Sequence, residues 1–582
     1  MYHFKNPGEL KGTISNLNAF LHRDLNSGFS TKWSGLWTPS QKLLDYYSYR
    51  INGIWLDTER LQAVDYGDEI TYYFETDSLE IKETISMPDN LSGLKSRLQI
   101  TNKKKEKKAV HIGLEAGIDI RNKTEDIGPE DYGVEISDTV KASSKEVEII
   151  IDSDRELLTS GEPYIRDHFP GERQKCLVPG EISSRMELGP EETAEAEFRF
   201  YSGESTEIEI NNHGSKLEGD LGRSFTCSID SMLNLMYDRE GLGLIAGHPW
   251  FQNYWARDSF WTLLGLIDAG YFEEAEKILE NFATNGLPGK IELNGENPAE
   301  TREDTYPLFI IAADKLRRHH EISDTIREGM EQAFNQLETK DGVVKHDPSG
   351  TWMDTLTREQ AVDVQALWLK ASEIMGENRN LEKGLEKFKS PDYMKDHLGE
   401  NPPATINPAV GLMYGYFDEE VLSKINAEFS SRHGARTRAV TDPGYESAGY
   451  HTGSAWGLTT CWAAAANFQH GKAVEGLNFL NKLEKHLDSG QPGALPELVD
   501  SENGENLGCV EQAWSAGMMV HVIDSYLLGI EVTEDKVIID PCKEYSGKRL
   551  QKRVGDEYID FSVENGEVEI LNDPEIDREL IT

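Results

Sequence analysis

Cysteine is scarce in this 582-residue chain. The five, Cys176, Cys227, Cys461, Cys509 and Cys542, are scattered, odd in number and without C-x-x-C spacing. That excludes a disulfide framework and a cysteine zinc site, and it fits a reducing compartment. Cys461 lies in TTCWAAAANF, an apolar helical run, and is expected to be a buried packing residue. Long apolar runs are missing too: none approaches the roughly 18 residues that a membrane span needs. The opening residues, MYHFKNPGELKG, lack a basic stretch leading into an apolar one, so no secretory signal is read there. The expectation is a soluble, cytoplasmic protein with no membrane partner.

Positive charge is the other shortage. Lys and Arg number 59 against 103 Asp and Glu, a formal net charge of −44. This excludes duplex nucleic acid as a partner, because phosphate binding wants a basic surface. The acids are dispersed rather than gathered in a tail. Such a surface suits a salt-rich cytoplasm, where screening removes most of the self-repulsion. Chemical motifs are sparse as well. There is no H-E-x-x-H or dense His/Asp cluster for a metal, no G-x-S-x-G elbow and no phosphate-cradling Walker pattern. GLGLIAG follows a helical segment rather than a strand, so it is no dinucleotide fingerprint. No metal or cofactor is expected.

What is present supports real cores: 38% hydrophobic residues with 9% aromatics, in a length that calls for more than one domain. Residues 1–205 read as strands. EITYYFETDSLEIKETISM, KEVEIIID and AEAEFRFYSG are short β-rich runs broken by polar turns, the pattern of an antiparallel β-sandwich. SRLQITNKKKEKKAVHIGLEA is two alternating runs about a charged turn, predicted as a hairpin with residues 103–108 at its solvated tip. Residues 206–221 are polar and Gly-rich and read as a linker.

Beyond the linker the period changes. In SFTCSIDSMLNLMYD, residues Phe225, Ile229, Met232, Leu233 and Met236 share one helical face. Roughly twelve such segments recur through residue 531. Alternate joins between them are long and carry Gly, Pro, Trp and acids. This rhythm predicts paired helices closed into an all-α barrel over 222–531, with function on the loops at one end. Residues 532–582 return to strand-like alternation. They are too short for a core of their own and are expected to pack on the barrel or join the sandwich.

Four loop segments concentrate Trp, Tyr, Arg and carboxylates. HPWFQNYWARDSFW (248–261) crowds Trp250, Phe251, Tyr254 and Trp255 ahead of Arg257 and Asp258 at a helix start. Asp258 there has two readings, helix cap or ligand contact. A sugar ring offers C–H faces that stack on aromatics and hydroxyls that want charged partners. GTWMDTLTREQAVDVQALW (350–368) sets Trp352 beside Asp354, again with a helix following. DPGYESAGYHTGSAWGL (442–458) carries Tyr450, His451 and Trp456. GALPELVDSENGENLGCVEQAWS (493–515) carries Glu497, far from any helix start, and Gln512 and Trp514 where the last helix opens. A fifth segment, NPAETREDTYPLF (297–309), adds Arg302, Glu303 and Asp304 at a helix start, where capping competes with binding. Carboxylates with aromatics are the materials of glycoside cleavage. One carboxyl group protonates the leaving oxygen while a second acts on the other face of the sugar. Asp354 and Glu497, on different loops, are the pair that can flank a substrate from two sides.

In this order, PWFQNYWARDSFWTLLGL, GTWMDT with VDVQALW, YHTGSAW, and LPEL with GCVEQAWS resemble the amylo-α-1,6-glucosidase part of glycogen-debranching enzymes, and more distantly glucoamylases. The resemblance implies an inverting glycosidase, an (α/α)6 barrel following an N-terminal sandwich, and an α-glucan substrate. It implies Asp354 as general acid and Glu497 as the general base that activates water. Arg257 and Asp258 would hold a terminal glucose, and Trp255, Trp352, His451, Trp456 and Gln512 would line the pocket, with Asp304 as a further pocket residue. Arg358 and Asp363 stand where the family carries a Pro-Arg turn and Val-Glu. The resemblance implies glucose release from α-1,6 branch points; with no stretch left for the transferase domain of two-activity debranching enzymes, the expectation is an enzyme that removes glucose and does not relocate a maltosyl stub. Two alternatives stay open: a glucoamylase- or trehalase-like action on other α-glucosidic links, and non-catalytic glucan binding.

Overall fold

The computed structural model describes residues 1–122, 131–145, 147–166, 175–203, 205–293, 302–377, 379–390, 393–572, 574–576 and 578–581. Residues 297–301, which open the segment before Asp304, lie outside the described residues. The strands from Tyr2 to Tyr201 form a nine-stranded and a ten-stranded antiparallel sheet, packed on one shared apolar core. Period-two patterning drives this: along Leu79–Ser86, residues Leu79, Ile81, Glu83 and Ile85 are buried and their neighbours are not.

The lysine-rich turn does not close a hairpin, contrary to expectation. Gly93–Asn102 pairs with Leu79–Ser86 and Thr193–Tyr201 in the nine-stranded sheet. Lys108–Asn122 pairs with Gln41–Ile51 and Glu181–Leu188 in the ten-stranded one. The charged segment therefore crosses between sheets, where Glu75 holds Lys103 and Glu187 holds Lys107. Both flanking runs bury one face in the same core, so alternation alone does not separate a hairpin from a crossing.

Twelve α-helices follow among the described residues: α1 (Gly222–Asn234), α2 (Ala256–Asp268), α3 (Phe272–Thr284), α4 (Thr305–Arg317), α5 (Asp324–Asn335), α6 (Val362–Ile374), α7 (Leu381–Leu385), α8 (Pro408–Met413), α9 (Glu419–Lys424), α10 (Gly457–Gln469), α11 (Ala473–Glu484) and α12 (Ala513–Val522). The even-numbered helices pack each on the next, and α12 returns to α2, closing a ring. The odd-numbered ones flank it, with α1 on α12, α3 on α5 and α11 on α10. This is an (α/α)6 barrel. The two layers differ in sequence. Every residue of α2 is buried, whereas α5 buries only the stripe Ile326, Gly329, Met330, Ala333 and Phe334. Ring closure also needs a glycine: a Cβ on Gly265 of α2 would stand 2.0 Å from the carbonyl oxygen of Gly517 in α12.

The stretch read as a linker contains a strand. Lys216–Gly219 pairs with Gly547–Val554 in a four-stranded sheet completed by Glu557–Glu564 and Glu567–Ile570. This sheet packs on the barrel at the C-terminal ends of the inner helices, which settles the two expectations for the tail. Arg549 pairs with Asp524 at 2.9 Å, and Lys552 reaches Asp268 at 3.3 Å and Asp524 at 3.2 Å. No helix among the described residues is long and apolar enough to cross a membrane.

Candidate active site

At the opposite end, the residues at the N-termini of the inner helices and the loops leading into them enclose a pocket of about 150 Å3. The partial positive charge of helix N-termini favours the carboxylates gathered there. The pocket holds roughly five water volumes, the scale of one sugar ring.

Its floor is aromatic. Trp352 meets Trp456 and Trp462 edge-on, with centroids 5.4 Å apart in each case. Trp352 donates from Nε1 to Asn407 Oδ1 at 2.8 Å, which fixes the ring. His451 stacks on Trp456 at 5.2 Å, and its Nδ1 lies 2.7 Å from Thr355 Oγ1. Burial pushes the His451 imidazole down to about 3, so the ring is a neutral wall. Trp255 is half-buried, with the Arg257 guanidinium 4.9 Å from its ring centroid.

The capping readings fail here. Neither α2 nor α4 receives a side-chain cap, although Asp258 lies in the first turn of α2 and Asp304 at the N-cap of α4. Asp258 instead accepts Gln512 Nε2 at 2.9 Å, from the N-cap of the neighbouring inner helix α12. Asp354 lies well upstream of α6, in the pocket wall. Asp304 does not line the pocket. It is buried near Arg257 with its Oδ1 unpartnered, and burial pushes its carboxyl up to about 7, with Arg257 opposing.

Arg257 organises the acids. It is 7% exposed and donates from Nη2 to Asp354 Oδ2 at 3.2 Å. Its Nε and Nη1 are buried without a hydrogen-bond partner, as is Gln512 Oε1. Orphaned buried polar atoms are rare and costly; on two residues that line the pocket, they suit ligand hydroxyls. Burial pushes the Asp258 carboxyl up to about 7; Arg257 opposes the rise, and Glu497 and Asp304 add to it.

Glu497 is buried and held at both oxygens. Tyr450 donates its hydroxyl to Oε1, and the Cys509 amide donates to Oε2 at 3.1 Å. Burial pushes this carboxyl up to about 7, with Tyr450, Cys509 and Arg257 restraining the rise and Asp354 adding to it. The Asp354 side chain is more open, at 29% exposure. The two carboxylates thus come from different loops into one pocket, one near its mouth and one inside it.

The pocket also includes Phe251, Tyr450 and Trp514, which lie in the aromatic loop segments but have no role in the sequence motifs; Tyr450, next to His451, carries the clearest signal. Arg358 and Asp363 are not in the wall. Arg358 is fully buried and forks onto Asp396 at 2.8 Å from both Nε and Nη2, while also binding Asp363 and Thr351. Asp396 in turn accepts Asn407 Nδ2 at 2.7 Å. This network braces the loop that presents Trp352 and Asp354.

A sandwich followed by an (α/α)6 barrel, with a pocket at the N-terminal ends of the inner helices, is a two-domain glucoamylase-like fold. Residues 227–442, within the helical domain, match the family model described as amylo-alpha-1,6-glucosidase. A bacterial glucoamylase solved with acarbose has a TM-score of 0.57 at 14% identity, over 89% of this chain and 93% of that one. A protein from the human microbiome assigned as a kojibiose phosphorylase has a TM-score of 0.60 at 9% identity, over 97% and 95%. At these identities the likeness is one of fold. No curated protein sequence matches the chain.

Proposed function

We propose that the protein is an inverting glycoside hydrolase that releases glucose from α-1,6 branch points of glycogen-like or limit-dextrin α-glucans. The observation that carries this reading is the meeting of Asp354 and Glu497 in one pocket, with Arg257 hydrogen-bonded to Asp354 and an aromatic floor below. Asp354 protonates the glycosidic oxygen of the departing chain. Glu497 takes a proton from a water that attacks the anomeric carbon from the other face; the bond to the leaving oxygen breaks as the new C–O bond forms. A base that titrates near 7 is poised for proton transfer at neutral pH. The hydrogen bonds from Tyr450 and Cys509 hold it in one orientation. Arg257, Asp258 and Gln512 hold the sugar hydroxyls. A pocket of single-ring size favours removal of one terminal residue, and the α-1,6 preference draws on the family match.

Phosphorolysis is the less favoured reading. Asp258, Asp354 and Glu497 line the pocket with a single arginine, and an entering phosphate dianion would add to that negative charge. Five free cysteines suit a reducing compartment, and we place the enzyme in a cytoplasm, with the acidic surface read as adapted to salt.

Incubation with a branched limit dextrin, maltooligosaccharides and trehalose tests the reading, with the anomer of nascent glucose followed by NMR. Glucose from the dextrin alone, formed as the β-anomer, is expected. Faster release from linear chains or from trehalose would assign the site to other links, and α-glucose as the first product would refute inversion. Asp354→Asn is expected to abolish turnover while retaining binding.

A further inference from the structure

The outer face of the ten-stranded sheet carries a second cleft, of about 190 Å3. Strand register explains it. Trp55 faces Arg50, Arg50 faces Gly113, Gly113 faces Ser183 and Ser183 faces Leu158, so one row of residues crosses four strand pairings. Residues paired across strands share a face, and the inward face belongs to Tyr49, Ile112 and Leu114 in the core. Gly113 is the gap in the outward row. Flanking residues stand up around it: Trp55, 37% exposed, and Tyr164, 47% exposed.

Nothing in the packing calls for glycine at 113. Its backbone is outside the left-handed region, and a Cβ there would sit 3.5 Å from its nearest neighbour, an ordinary contact. A mid-strand glycine costs strand stability and marks places where something approaches the backbone closely. The polar groups around the gap are already balanced. Arg50 donates to Glu181 at 2.5 Å and lies 5.3 Å from the Trp55 ring centroid; Glu115, which accepts the Tyr164 hydroxyl at 3.4 Å, is paired with Arg166. Two exposed rings beside an arginine and carboxylates repeat the composition of the barrel pocket. With no surplus charge, the cleft suits a neutral polyol: C–H faces on the rings, hydroxyls on Arg50 and Glu181.

We propose that this cleft is a second carbohydrate site, which grips a neighbouring α-glucan segment of the polymer whose branch the barrel trims. The identity of the glycan rests on the proposed function; the cleft itself does not. Affinity electrophoresis of the full chain through gels containing glycogen tests it, using wild type, Asp354→Asn, Gly113→Val and Trp55→Ala/Tyr164→Ala. Valine is the better strand residue and its Cβ meets only ordinary contacts at 113, and the two rings are at the surface, so these variants are expected to retain the fold, which circular dichroism checks. Expected is equal retardation of wild type and Asp354→Asn, and loss of retardation in both cleft variants. The cleft variants should also keep wild-type turnover of a short branched oligosaccharide and lose several-fold in rate on glycogen. Undiminished retardation of either cleft variant overturns the proposal, as does a wild type that hydrolyses glycogen without being retarded by it. Retardation mapped to Gly113 in a protein that hydrolyses no glucan would sustain the cleft and remove the proposed reaction.

Discussion

Arg257 and Asp354 join across 3.2 Å, and this single contact links the sugar-holding group to the proposed acid. The same guanidinium places Nε 3.9 Å from Asp258 Oδ2. Its planar fork can address both carboxylates and still present N–H groups to a ligand. Lysine keeps the charge but offers one compact ammonium. Arg257→Lys is therefore expected to lower kcat/KM by about a hundredfold, near 3 kcal/mol of transition-state stabilisation. Steady-state kinetics on a limit dextrin check this, and a value close to wild type would remove Arg257 from the site.

Tyr450→Phe isolates one hydrogen bond. The ring stays among His451 and Trp456, whose centroids lie 4.7 Å from it. The lost hydroxyl is the donor to Glu497 Oε1, and that bond favours the carboxylate over the acid. Without it the Glu497 pKa rises further above its present value of about 7. A general base must be ionised, so the acidic limb of kcat/KM against pH should move upward, by about one unit. A limb that stays put or moves downward would separate Glu497 from that limb.

Much of this site is written locally. Trp352, Asp354 and Glu497 sit in loops too rich in aromatics and acids for mere connections, and Glu497 has no helix nearby to cap. The barrel is legible from its rhythm, roughly twelve helical segments whose alternate joins are long and carry Gly, Pro, Trp and acids. The contacts that tune the site are another matter. Tyr450 reaches Glu497 across 47 residues of chain, and Asn407 reaches Trp352 across 55. Which loops become neighbours depends on how the ring closes, and helical period carries no record of that. The crossing at residues 103–108 escapes for the same reason: partner choice between two sheets is a property of the assembled core.

Asp258→Asn should trade activity for stability, with a defined pH signature. The folded carboxyl titrates near 7, while an unfolded aspartate titrates at roughly 3.9. The folded chain thus keeps a proton that the unfolded chain releases between these values. The group's stabilising contribution is complete below about pH 4 and is lost as pH rises through about 7. Asparagine does not ionise, and its carbonyl still accepts Gln512 Nε2. The variant should match wild type near pH 4 and exceed it by up to about 4 kcal/mol at pH 8, with turnover reduced. Unfolding measured at pH 4, 6 and 8 checks this; a difference independent of pH would show that Asp258 does not titrate in that window.

The tail predicts a purely structural variant. Arg549 is fully buried, lies 4.7 Å from the Phe225 ring centroid, and meets Asp524 with two parallel bonds of 2.9 and 3.0 Å. Asp524 lies just past α12, at the end of the barrel away from the pocket. Arg549→Met keeps much of the stem's packing but strands a buried carboxylate with only Lys552 beside it, at 3.2 Å. Breaking a buried pair from one side costs about 3–5 kcal/mol, whereas replacing both partners by apolar residues is often neutral. Arg549→Met should therefore unfold at markedly lower urea, and Arg549→Met/Asp524→Leu should recover most of the loss. Both should retain wild-type kcat while folded, because the pocket is built at the N-terminal ends of the same helices. A fall in kcat under conditions where circular dichroism reports a folded barrel would mean that the tail also shapes the active end.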